Sequence, residues 1–241
     1  MRLALQILSL AVDLPLQVLV VAALLRGSWR RFPIVLALSV VELVSALVQA
    51  PGTLQTMGGH RPPGLAYETV YWYGATIDGL LLYSVVISLL YRACGRLRSA
   101  RPARVALILG ACLVAGGTLL AHYDPSLKPG LWLTPWFRDL NFACMWMNFV
   151  LFASLLAARD KDRQLLLLSG GLGVEFASDA IGESLRQMAI RSRSHPLAMT
   201  GALLMVAGGA FRYFTWWRAL RRQSEKETPA ALAPLYPRGS T

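Results

Sequence analysis

Seven stretches of this chain each approach the length that a bilayer demands: roughly 3–25, 32–50, 69–91, 105–122, 138–158, 164–186 and 197–217. A helix needs about 20 apolar residues to cross about 30 Å of hydrocarbon, and only helices or closed barrels satisfy the backbone in lipid. The two-residue alternation of a membrane barrel is absent. The pattern therefore predicts an all-α, polytopic membrane protein of seven transmembrane helices joined by short connections. Composition agrees, with 55% of residues hydrophobic and only 15% charged, against roughly a quarter charged in soluble domains.

A net charge of +11 would point a soluble protein towards nucleic acid. Here the basic residues sit in short connections between apolar segments, so nucleic acid is excluded and the bilayer itself is the expected partner. Fifteen of them (Arg26, Arg30, Arg31, Arg92, Arg96, Arg98, Arg101, Arg104, Arg159, Lys161, Arg163, Arg218, Arg221, Arg222 and Lys226) fall on one side. Seven (Arg2, Arg61, Lys128, Arg138, Arg186, Arg191 and Arg193) fall on the other. This asymmetry places the N-terminus outside and the C-terminus in the cytoplasm, in a bacterial inner (plasma) membrane. Trp29, Trp72, Trp132, Trp136, Trp216 and Trp217 fall near the ends of segments, at the depth where amphipathic rings collect. The first apolar run reads as a retained span rather than a cleaved signal, because Asp13 interrupts it and no small-residue cleavage site follows. The bundle is expected to fill 1–222, with the Pro/Ala-rich 223–241 a disordered cytoplasmic tail. Three cysteines, Cys94, Cys112 and Cys144, form no disulfide framework or CxxC pattern.

Ionisable groups within the spans are the functional signal, since such groups are costly in lipid and face a partner, a cavity or a pathway. The sequence VEFASDAIGESLR (174–186) carries Glu175, Asp179 and Glu183 at spacings of four, one slanting stripe on a helix. Glu175 lies about 17 Å from the start of its segment, close to mid-membrane. Asp13, Glu42, Asp78 and Arg212 lie within other spans, and RDLNF (138–142) places Arg138 and Asn141 at the opening of the fifth. These nine residues are the candidate lining of an outward-facing polar cavity, with Arg186 positioned to pair with Glu183 locally. Mutual satisfaction of the acids and Arg212 within the bundle is the competing reading. Gly116, Gly117, Gly170, Gly171, Gly173, Gly201, Gly208 and Gly209 are expected at close helix contacts.

His60, His122 and His195, with Asp124, are a weak candidate zinc set, because the three histidines belong to separate connections near the outer surface. No cofactor is implied, and neither GxSxG, HExxH, a Walker loop nor a dinucleotide fingerprint occurs. Nothing in the sequence argues for an enzyme.

Sliding the chain by 133 positions pairs Arg26 with Arg159, Arg30 with Arg163, and VELVS (41–45) with VEFAS (174–178). A three-plus-one-plus-three plan of this kind is similar to that of sugar transporters of the SWEET type. The Pro-Gln motif of that broader group is absent, however, and YRACGRLR against WRALRRQ is a poor match between the third and seventh spans. The pieces RDLNF (138–142) and LLLLSGGLGVEFASDAIGESLR (165–186) resemble those of a group of bacterial seven-helix membrane proteins, a resemblance that carries no function with it. The plan is also similar to seven-helix sensor modules of bacterial signalling enzymes, without their output domain, and the seventh span has no lysine for a retinal Schiff base.

The expected function is that of a receptor-like protein that binds a small polar or cationic ligand in the acid-lined cavity and is read by a partner at its basic face. A small proton-coupled secondary transporter and an accessory subunit of a membrane complex, bound to a membrane or cytoplasmic protein, are the alternatives.

Overall fold

The computed structural model describes the backbone of residues 2–57, 65–95, 100–126, 129–157 and 162–232, with side chains over 11–48, 73–95, 101–126, 132–157 and 162–221. These residues form seven α-helices: α1 (Arg2–Leu25), α2 (Pro33–Met57), α3 (Leu65–Cys94), α4 (Ala100–His122), α5 (Pro129–Ala157), α6 (Arg163–Ser192) and α7 (His195–Leu232). A 3-10 turn, Ser28–Arg30, links the first two. Five helices are long and apolar enough to cross a membrane: Tyr73–Cys94, Arg101–His122, Trp132–Ala157, Arg163–Ser192 and His195–Arg221. The described apolar stretches of the other two are Ala11–Leu25 and Pro33–Val48.

The helices outrun the hydropathy that announces them. α5 begins at Pro129 rather than near 138, because proline is preorganised for a first helical position where no amide is needed. Arg138, Asp139 and Asn141 consequently lie inside the helix, not at its opening. α6 continues to Ser192 and ends on Arg193 in the left-handed region (φ 51°). α7 runs on to Leu232, through part of the segment that composition reads as a disordered tail. Glu225, Lys226, Ala230 and Ala231 are good helix formers, and extending an existing helix is far easier than nucleating one. Residues 233–241 lie outside the described residues.

Neighbours in sequence are neighbours in space, and α7 closes the ring against α1, while α3 also packs on α5 and touches α6. Among the described residues α4 packs on α3 and α5 alone, and Val105, Leu109, Leu113 and Leu120 remain exposed along it, as suits a face turned to lipid. The basic ends gather at one end of this bundle. Arg31 at the start of α2 meets Asp162 at the start of α6, 3.4 Å away, and Arg104 of α4 donates to the Tyr91 carbonyl of α3 at 3.3 Å. Asp162 also caps α6, its Oδ1 accepting from the amides of Gln164 (3.0 Å) and Leu165 (3.1 Å).

Several of the largest fully buried apolar side chains, including Leu24, Phe32, Leu38, Leu89, Leu168, Trp216 and Leu220, lie within about two turns of these basic ends, whereas Leu140 and Trp136 are buried along α5 towards the opposite end. The core is therefore dense at the basic end and reaches the opposite end along α5. Trp216 and Trp136 belong to this interior rather than to an interfacial belt. Their indoles donate to the carbonyls of Leu168 (3.0 Å) and Ala115 (3.4 Å), as buried tryptophans require. Trp29 is exposed as expected, and the side chain of Trp72 lies outside the described residues.

α6 and α7 form the closest pair in the fold. A Cβ on Gly182 would stand 2.7 Å from the Gly201 carbonyl oxygen, and one on Gly208 would stand 2.5 Å from the Ser178 Cβ. Gly171 faces Thr215 across the same contact. Gly171 and Ser178 on α6, and Gly201, Gly208 and Thr215 on α7, recur every seven residues, two turns apart on one face. In lipid, this close backbone approach is what holds helices together. Gly116, Gly117 and Gly209 meet nothing within 4 Å, so the expected packing role holds for only part of the set. Replacing Gly182 by leucine should destabilise the protein by about 1–3 kcal/mol, the usual cost of overpacking. Gly116→Ala should leave it unchanged or slightly more stable; unfolding in mixed micelles measures both.

Candidate functional site

Arg212 is the centre of the polar interior. Its side chain is 3% exposed and lies nine residues from the basic end of the α7 span at Arg221, a depth of about 13 Å. Nη2 donates to Glu42 Oε1 at 2.9 Å, and Nη1 lies 3.1 Å from Glu175 Oε2. The two carboxylates come from α2 and α6, so one guanidinium ties three helices together. Glu42 Oε2 accepts from the Tyr213 hydroxyl at 3.0 Å, and that hydroxyl accepts from Gln17 Nε2 of α1 at 2.8 Å. The guanidinium also stacks near the rings of Tyr213 (4.3 Å) and Trp216 (5.1 Å).

Further carboxyls extend the cluster away from the basic end. Asp13 on α1 lies within electrostatic reach of Glu175, and Asp179, one turn beyond Glu175, within reach of Arg212. Asp78 on α3 is hydrogen-bonded to Ser45 of α2 and feels both Glu42 and Arg212. Measured along their helices from the basic ends, Glu42 and Arg212 stand at about 13 Å, Glu175 and Asp13 at about 18 Å, and Asp78 and Asp179 at about 24 Å. This is a column of five carboxyls with one guanidinium at its foot. Carboxyls gathered in a low-dielectric interior repel one another and disfavour joint ionisation. Several atoms in and beside it are deeply buried with no hydrogen-bond partner among the described residues: Arg212 Nε, Gln17 Oε1, Ser39 Oγ and Asp78 Oδ1. Buried polar groups are seldom left so, and these surround the foot and flank of the column.

The sequence-derived set thus divides. Glu42, Glu175, Asp179, Asp78, Asp13 and Arg212 come together. Glu183 does not join them; it is half-exposed and pairs with Arg186 at 3.2 Å, because two turns beyond Glu175 the stripe has slanted off the interior face. Arg138 is exposed and lies 3.5 Å from Asp139, and Asn141 is exposed as well, both on the outward side of α5. Tyr213, Ser45 and Ser39 were not singled out by sequence. Tyr213 had a signal in its adjacency to Arg212, whereas single serines in apolar helices give none.

Away from the column, Asn148 and Ser169 form a buried reciprocal pair between α5 and α6. Asn148 Nδ2 donates to the Ser169 carbonyl (3.0 Å), and Ser169 Oγ donates to Asn148 Oδ1 (2.9 Å). The histidines do not assemble. His122 Nε2 lies 2.8 Å from Asp139, not Asp124. Asp124 instead accepts from the Ser126 hydroxyl (2.6 Å) and amide (2.9 Å), which hold its carboxyl below the usual range. His195 is exposed and His60 lies outside the described residues. Among the described residues no three His, Cys, Asp or Glu side chains are placed to hold a metal.

Arg212→Met strands two buried carboxylates and should cost about 3–5 kcal/mol of stability. Adding Glu42→Gln and Glu175→Gln should restore most of it, as read by equilibrium unfolding in mixed micelles. A triple variant no more stable than the single would show that the charges do not act as one unit. Comparison with protein-family models, curated proteins and solved structures found no match.

Proposed function

We propose that the chain is a seven-helix, receptor-like membrane protein that binds a small cationic ligand on its carboxyl column from the face opposite the basic ends. The carrying observation is the gathering of Glu42, Glu175, Asp179 and Asp78 around the one guanidinium of Arg212, together with the buried atoms around it that lack partners among the described residues. Access from the outer face is supported by the exposure along α6. The basic half is closed by Leu38, Leu89, Leu168 and Trp216, whereas Asp179 is partly exposed and Ile181 and Glu183 beyond it are exposed. The proposal includes membership in the bacterial seven-helix group that the fifth and sixth spans resemble.

One feature favours a second reading, proton-coupled secondary transport. Arg212 is shared by carboxylates on two helices, so neutralising either leaves the guanidinium held by the other, and such a pair can change partners as helices move. Pairing of Arg212 inside the chain weighs against the accessory-subunit reading, in which its charge would await a partner protein.

Calorimetric titration of the protein in nanodiscs with small aliphatic amines and diamines separates these readings. The receptor reading expects saturable binding that Glu175→Gln abolishes, Asp179→Asn weakens and Glu183→Gln leaves intact. Absence of binding by every amine overturns it. Amine or proton flux into proteoliposomes that stops with Glu175→Gln would establish the transporter instead.

The topology belongs to the same proposal. All seven helices cross, with the N-terminus outside and the basic ends and C-terminus in the cytoplasm of the inner membrane. α1 and α2, at 24 and 25 residues, are long enough to span about 30 Å. An impermeant thiol reagent applied to intact cells should leave a cysteine substituted at Arg218 unlabelled and should label one substituted at Ser126; the reverse pattern inverts the orientation.

A further inference from the structure

At the basic end, Phe32 is nearly enclosed, 2% exposed, with one guanidinium near its ring from the turn before α2 and one from α3. Arg31 Cζ lies 5.4 Å from the ring centroid and Arg92 Cζ, from the last turn of α3, lies 4.7 Å from it. The two cations are close enough to repel one another, with Asp162 the counter-charge within reach of both. Asp162 is already engaged: one oxygen caps α6 and the other lies 3.4 Å from Arg31. Arg163 follows it in sequence. Two guanidiniums are thus held in place against one fixed ring.

We propose that Arg31 and Arg92 bind the phosphate of an anionic phospholipid. Guanidinium forks match phosphate oxygens bidentately, and Phe32 sets both forks at the membrane–water boundary, where a headgroup phosphate lies. Trp29, exposed beside Arg30 (5.3 Å), offers an amphipathic ring at the same depth. The geometry needs only that the bundle spans a membrane; it does not depend on which leaflet faces the cytoplasm, nor on the ligand proposed for the carboxyl column.

Native mass spectrometry of the delipidated full chain, reloaded with phosphatidylglycerol or phosphatidylcholine, tests this site. The wild type should retain phosphatidylglycerol preferentially, and Arg92→Gln should lower its affinity about fivefold, the value of one surface cation. Asp162→Asn keeps a helix-capping side chain while removing the competing charge, so it should raise phosphatidylglycerol affinity, a gain that misfolding cannot imitate. Equal retention of the two lipids, no change in either variant, or displacement by millimolar inorganic phosphate as effective as by the lipid would each overturn the assignment.

Discussion

The rest of the interior is arranged around one buried arginine. A guanidinium at the depth of Arg212 has no counterpart in lipid, and the fold meets its charge with carboxylates from α2 and α6 rather than from its own helix. Removing such a charge from water costs several kcal/mol, so its partners, and the helices that bear them, are fixed relative to α7. Tyr213 and Gln17 extend that constraint to α1. Five of the seven helices, α1, α2, α3, α6 and α7, thus contribute to a single electrostatic unit, while α4 and α5 remain outside it.

Packing makes this arrangement possible. Glu175 lies between Gly171 and Ser178 along α6, and Arg212 between Gly208 and Thr215 along α7, so both ionisable groups stand on the face where small residues bring the backbones together. A larger residue at Gly208 would meet Ser178 and the Glu175 Cα, pushing apart the helices that hold the pair. Short-range packing and charge pairing are therefore one constraint, not two, and the apolar core towards the basic end closes the unit from below.

The fold class was legible because span length and apolarity act segment by segment, without reference to tertiary structure. The basic ends were legible for a similar reason, and the structure brings Arg31, Arg92 and Arg163 to one end of the bundle. The site was legible in part. Glu42, Asp78, Glu175, Asp179 and Arg212 stand out because ionisable groups are rare in apolar helices. Which of them meet depends on helix rotation, which no single segment encodes: Glu183 shares the stripe of Glu175 by spacing yet faces away. Helix ends were misread at α5, α6 and α7 because polar residues continue a helix past the hydrocarbon. Asn148 and Ser169 illustrate the same limit, since their reciprocal bonds require two helices already in register.

The offset of 133 residues acquires a physical meaning in this setting. It aligns Glu42 with Glu175, the two carboxylates that hold Arg212, and Ser45 with Ser178, which serve different ends: one bonds Asp78, the other packs against Gly208. The geometry around the acids is correspondingly unequal. Glu42 makes a hydrogen bond to the guanidinium and a second to Tyr213, whereas Glu175 lies at ion-pair distance from Nη1 with its Oε2 off hydrogen-bond alignment. Glu42 is therefore the more firmly fixed partner and Glu175 the one whose hold on Arg212 is easier to exchange. Glu175 is also the acid whose helix carries Asp179 onward along the column. An incoming cation that engages Asp179 and then Glu175 would compete with Arg212 for the weaker of its two partners while Glu42 keeps the guanidinium in place, and the change would be felt first along the α6–α7 seam.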